Sequence, residues 1–159
     1  MANNKAIAAG VAAVLAIAAP LVAKWEGLRY RAYPDPATGG APWTACYGTT
    51  RGVKPGDVFT KEQCDDLLRQ DMAEADATVR RCIPVPMLPH VEAALVSLVF
   101  NVGPRAVCGS SIQKYAMANN WPAACSAIEA WKYAAGRVMR GLELRRADEK
   151  AVCLGPLGG

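Results

Sequence analysis

The sequence predicts an α+β fold that is mainly α-helical, with a small β-containing lobe near its start and an apolar helix ahead of it. Three observations predict this. An uncharged run, AIAAGVAAVLAIAAPLVA, fills residues 6–23. Nine prolines and glycines then crowd between Pro34 and Gly56, a density suited to turns and short strands. Beyond Thr60 the chain reads as helices separated by helix start and stop signals.

The apolar run has 18 residues, of which nine are Ala, and is preceded by one side-chain cation, Lys5. As a helix it would span about 27 Å, enough for a thin hydrocarbon core. Only Ile7, Val11, Val14, Leu15, Ile17, Leu21 and Val22 are strongly apolar, and together they favour insertion by only about 2 to 4 kcal/mol before helix-end and Pro20 costs. The segment is suited to entering a membrane but is weakly held there. A cleavable signal peptide is a competing reading, with Ala16-Ile17-Ala18 as a small-residue cut site; a cut after Ala23 would leave bulky Leu21 three residues back. A plain core helix is the third reading.

A short helix is expected from Leu21 or Val22 to Tyr30, followed by the turn-rich lobe. Thr60-Lys61-Glu62-Gln63 is a capping-box pattern, so a helix should start at Lys61 and run toward Arg81. Val91 to Asn101 is strongly apolar, ends at Gly103-Pro104 and reads as the central buried helix. Shorter helices are expected over Ser111 to Ala118, Pro122 to Ala134 and Leu142 to Leu154, the last before a glycine-rich tail. Residues 24–159 are enough for one compact domain with its own core.

Six cysteines, Cys46, Cys64, Cys82, Cys108, Cys125 and Cys153, all follow the apolar run. An even number in a small chain fits an oxidising compartment and supports export. Joining neighbouring elements pairs Cys46 with Cys64, Cys82 with Cys108, and Cys125 with Cys153. No CxxC pair or histidine spacing calls for a metal, and no motif calls for an organic cofactor. The one histidine, His90, follows a Pro-rich stretch and suits a surface or helix-start position. The chain carries 18 basic and 14 acidic residues, and with Lys5 set aside the domain's net charge is +3. That is too mild for a nucleic-acid partner, and no basic block supports one. It would draw an exported protein toward an anionic wall or membrane surface. A monomer is expected.

Glu26 stands three residues beyond the run, and Asp35 lies nine residues further on in the turn-rich segment. Two carboxyls in unequal surroundings, one dry and one beside water, are what glycoside hydrolysis needs. Thr44 follows on the next expected strand, where its hydroxyl could orient a water. Singly, each of these residues more often has a plain surface or strand role.

The ordered motifs carry more. Glu26-Gly27-Leu28-Arg29-Tyr30-Arg31-Ala32-Tyr33-Pro34-Asp35, then Trp43-Thr44-Ala45-Cys46-Tyr47-Gly48-Thr49-Thr50, resemble the phage lysozyme family, glycoside hydrolase family 24. The resemblance continues through Ala94 to Gly103, Trp131 to Gly136 and Gly141 to Arg146, and spans residues 24 to 154. It implies a lysozyme-like fold with a small β-containing lobe and a helical lobe. It also implies cleavage of peptidoglycan between N-acetylmuramic acid and N-acetylglucosamine, with inversion. Glu26 would be the general acid, Asp35 would help position and activate the attacking water, and Thr44 would complete the set. The interval from Asp35 to Thr44 is longer than the family's usual one, and Cys46 replaces the usual glycine.

Secondary positions follow from the same resemblance. Asn101 and Gly103 fit a helix C-cap, and the resemblance puts that turn near the sugar cleft. Arg145 and Glu149, at i and i+4, read as an exposed ion pair; by resemblance either Arg145 or Arg146 reaches the active-site carboxylate. Trp121 and Trp131 read as core rather than sugar platforms.

The apolar run resembles the uncleaved leader of signal-anchor-release endolysins. That implies residues 1–23 as a weak transmembrane segment and 24–159 as the catalytic domain. The protein would be held at the host inner membrane facing the periplasm, then released. Residues 1–23 contain no cysteine, so release by disulfide reshuffling within the anchor does not apply. A secreted muramidase and a non-catalytic peptidoglycan-binding protein are the alternatives.

Overall fold

The computed structural model describes residues 4–155 and bears out a mainly helical α+β architecture. Helix α1 spans Asn4–Glu26 and leads into a two-stranded antiparallel hairpin, β1 Arg29–Tyr33 with β2 Thr44–Cys46, paired Arg29 to Cys46 and Tyr33 to Thr44. Helices α2, Lys61–Cys82, and α3, Pro89–Val102, follow, then a 3-10 turn, Pro104–Ala106. The chain continues through α4, Ser111–Met117, and α5, Trp121–Ala127. It finishes with a 3-10 turn, Ile128–Ala130, a second hairpin, β3 Tyr133–Ala134 with β4 Arg137–Val138, and α6, Arg140–Leu154.

Helix α3 is the axis of the core. Val91 through Val99 are buried without interruption, as a helix covered on every side must be. Val14, Ala18 and Val22 of α1, Leu68, Met72 and Val79 of α2, and Cys153 of α6 close around it in one cluster. The expected apolar helix is therefore present, with its inward face inside the protein core. Among the described residues no helix is long and apolar enough to cross a membrane.

The capping box at Thr60 forms as expected: the Gln63 amide donates to Thr60 Oγ1 at 3.1 Å and the Thr60 amide donates to Gln63 Oε1 at 2.8 Å. His90 lies in the first turn of α3, where its Nδ1 is 3.1 and 3.0 Å from the carbonyls of Val152 and Cys153 at the end of α6. Trp121 and Trp131 are half-buried against the core. All three expected disulfides are present. They join β2 to α2, α2 to the segment after α3, and α5 to α6, with Cα separations of 4.9, 5.3 and 5.6 Å that suit the bond.

Two helices end earlier than the sequence suggested. The helix expected to reach Tyr30 stops at Glu26, because Gly27 takes φ +69°, a left-handed conformation that ends the helical ladder. Arg29 to Tyr33 then extend as a strand. The helix expected over Pro122 to Ala134 ends at Ala127, and Tyr133-Ala134 belongs to the second hairpin. Ala135 and Gly136, both at positive φ, form the turn that such a two-residue hairpin favours. The glycine-rich tail lies outside the described residues apart from Gly155.

Candidate active site

Glu26 is the last residue of α1, and its side chain is 20% exposed. Arg145, on the first half of α6 and 5% exposed, donates from Nη1 to Glu26 Oε1 at 2.6 Å. The other carboxylate oxygen lies under Gly48. A Cβ at that glycine would sit 3.3 Å from Glu26 Oε2, and its φ of +93° suits glycine alone. One oxygen of Glu26 is thus held from behind by a buried guanidinium, and the other lies beneath a residue with no side chain.

Behind Glu26 the ion pairing continues inward. Glu149 Oε2 lies 3.8 Å from Arg145 Nε and accepts from the Ser97 hydroxyl at 2.6 Å. Its Oε1 forms an ion pair with Arg146 Nε at 2.5 Å. Arg146 also donates to Asn101 Oδ1 at 2.9 Å and to the Trp131 carbonyl at 3.3 Å. Glu149 and Arg146 are fully buried, which only mutual neutralisation makes tolerable. Burial pushes the Glu149 carboxyl up and the Arg146 guanidinium down, and each partner opposes the shift of the other. The expected exposed pair of Arg145 with Glu149 is instead buried: on this face α6 packs against α3, so i and i+4 charges point into the core.

A cavity of about 760 Å³ opens from Glu26. Gly48 and Thr49 from the turn after β2, Asp71 and Glu74 from α2, and Phe100 and Asn101 from the end of α3 contribute to its wall. Arg145 and Arg146 stand behind the wall, and Gly103 caps α3 at φ +103° without lining the cavity. Asp35 and Thr44 also lie outside the lining, at the two ends of the loop that joins β1 to β2. Asp35 Oδ1 accepts from the Ala37 amide at 2.8 Å, and Thr44 Oγ1 donates to the Pro42 carbonyl at 3.3 Å. Among the described residues no cluster of three or more His, Cys, Asp or Glu is arranged to hold a metal.

Sequence reasoning missed Gly48, Ser97 and Glu149 as parts of this site. Ser97 was legible as the one hydroxyl inside the apolar run of α3; Gly48 stood inside the Trp43 to Thr50 motif, but nothing in the sequence marked its approach to Glu26.

The family model for phage lysozymes matches residues 23–149, from the last turn of α1 to the buried pairs of α6. The chain belongs to the phage lysozyme family. It is therefore a glycoside hydrolase of the lysozyme type. It is 35% identical over 136 residues to an endolysin of Acyrthosiphon pisum secondary endosymbiont phage 1, covering 83% of this chain and 91% of that one. It is 31% identical over 159 residues to a SAR-endolysin of bacteriophage PS119, covering 96% and 93%. The active form of the P1 phage endolysin Lyz superposes on this lysozyme with a TM-score of 0.80 at 26% identity, covering 93% of each chain.

Proposed function

We propose that this lysozyme is a phage endolysin that hydrolyses the β-1,4 bond between N-acetylmuramic acid and N-acetylglucosamine in peptidoglycan during host cell lysis. Glu26 is the general acid, protonating the leaving oxygen. Asp35 and Thr44 position and activate the attacking water from the hairpin side. Arg145 holds the Glu26 carboxyl in place, and Arg146 and Glu149 hold Arg145. Asn101 and Gly103 shape the sugar cleft at the end of α3.

The observation that carries this reading is Glu26 in the cavity wall, clamped by Arg145 through one oxygen only. The test is loss of turbidity of a peptidoglycan suspension. Wild type clears it, and Glu26→Gln lowers the rate by at least 100-fold, the scale of a lost general acid. A Glu26→Gln variant that clears the wall at the wild-type rate would refute the assignment.

Residues 1–23 act as a signal-anchor-release segment and residues 24–159 as the catalytic domain. The weak insertion energy allows the segment to leave the inner membrane and pack as α1, which carries Glu26 into the site from the periplasmic side. Cleavage after Ala18 would strip Val14 and Ala18 from the core, which favours retention over a removed signal peptide. Fractionating cells before and after collapse of the membrane potential tests this. The full-length chain is expected to move from membrane to periplasm and to gain activity; an N-terminally trimmed product, or full activity while membrane-bound, would sink it.

A further inference from the structure

The cavity lies at the last turn of α3; a second charged site lies at its first. There Asp76 of α2 and Glu92 of α3 are both buried, and one guanidinium serves the two of them. Arg80 Nε is 3.2 Å from Asp76 Oδ2 and donates to Glu92 Oε1 at 2.5 Å. Among the described residues the buried Asp76 Oδ1 has no hydrogen-bond partner, and the two carboxyls are within hydrogen-bonding reach of each other. With both acids ionised, the contact holds two negative charges against one positive and leaves a carboxylate oxygen unanswered. A single proton on Glu92 removes both faults. It leaves one charge of each sign, and it gives Glu92 an O–H to donate to Asp76.

Helix α1 closes this site. It packs against both α2 and α3, and at Gly10 it comes close enough to Arg80 that a Cβ there would lie 4.0 Å from Nη2. From Gly10 to Ala23 it brings no charge. Every charge of α6, the third helix against α3, is paired elsewhere, and His90 of α3 is turned to the Val152 and Cys153 carbonyls. Asp76 and Arg80 are therefore the charged groups that act on Glu92. Burial first, then Asp76, holds its carboxyl up at about 7 against the pull of Arg80.

We infer that the Asp76–Arg80–Glu92 site is a proton lock on α1: the helix docks with uptake of one proton by the two carboxyls and returns it on leaving. The inference rests on the anchor-release reading above. While α1 is in the bilayer, the sides of α2 and α3 that it covers face water, and a hydrated Glu92 ionises above its ordinary 4.5. Docking excludes that water, and an O–H bond forms on Glu92 with a proton taken from solvent. The docked form holds the extra proton between 4.5 and about 7, so docking is favoured in acid and weakens as pH rises through that window. The acidity of the periplasm thereby sets how readily the anchor leaves the membrane.

The test inserts the full-length, disulfide-bonded enzyme into vesicles of phosphatidylethanolamine and phosphatidylglycerol held without a membrane potential. The readout is the ratio of soluble to vesicle-bound intact chain after sedimentation, which does not depend on catalysis. Wild type is expected to raise that ratio about tenfold or more between about pH 8 and about pH 5.5, the scale of one linked proton. Glu92→Gln, neutral at every pH, is expected to hold the ratio within about twofold across the range and to match acidic wild type. Asp76→Asn, which leaves Glu92 with Arg80 alone, loses most of the pH dependence. A wild type that leaves the vesicles equally at every pH overturns the inference, as does the same slope in all three proteins. If wild type and Glu92→Gln both stay in the vesicles at every pH, the anchor-release reading fails and this inference falls with it.

Discussion

Gly48 governs how much room the Glu26 carboxyl has. Its φ of +93° disfavours any side chain, and a methyl there would press on Glu26 Oε2 from 3.3 Å. Gly48→Ala is expected to lose about 1 to 2 kcal/mol of stability from the left-handed backbone, seen in a denaturant titration. It should also lower wall lysis by pushing the carboxyl off its position; unchanged lysis with unchanged stability would show that the gap is not needed. A second residue-scale effect concerns Glu92, which shares Arg80 with Asp76 at the α2–α3 contact. Burial first, then the Asp76 carboxyl, raises Glu92 to about 7 from an ordinary 4.5, against the pull of Arg80. The folded protein therefore holds a proton that the unfolded chain releases between those two values, so this group's contribution to stability falls as pH rises from about 4.5 through about 7. Melting temperatures measured over that window should fall less steeply with pH in Glu92→Gln than in wild type. Parallel pH profiles for the two proteins would contradict this.

At the scale of elements, α1 is both part of the core and the support of Glu26, the proposed general acid. Ala18 is completely buried in it. Ala18→Leu overfills a packed contact and is expected to cost about 1 to 3 kcal/mol. Because the displaced helix ends in Glu26, lysis should fall at temperatures where the variant is still folded by circular dichroism; full lysis there would separate the helix from the site. The elements that were legible in the sequence are those with local signals: the capping box of α2, the apolar run of α3 and the stop at Gly103. The end of α1 was placed too late because Leu28 to Tyr30 do not oppose a helix, and only the sign of φ at Gly27 ends it. The hairpin of Tyr133 to Val138 was hidden for a similar reason. Ala135-Gly136 is a weak turn signal, and Trp131 to Ala134 would continue an apolar face either way.

For the whole molecule, three disulfides close separations of 18, 26 and 28 residues around a core that every major helix enters. Replacing Cys82 and Cys108 together by Ala is expected to cost about 3 to 4 kcal/mol in the chain-entropy model, a fall of roughly 6 to 16 °C in Tm. Calorimetry of the double variant checks it, and an unchanged Tm would mean the bond does not restrain the unfolded chain. The disulfide pairing was legible because neighbouring elements sit together. The family pattern around Glu26 was legible as well. The buried relay through Arg145, Glu149 and Arg146 was not, because i and i+4 charges look alike in sequence whether they face water or α3. Helix α1 presents Val14, Ala18, Leu21 and Val22 to the core, while Ala12, Ala13, Ala16 and Ile17 face outward. Under the proposed anchor-release control, one side of this helix answers to protein packing and the other is free to answer to lipid. Drift on the outer side could then reset the moment of lysis from host to host while the cutting chemistry stays the same.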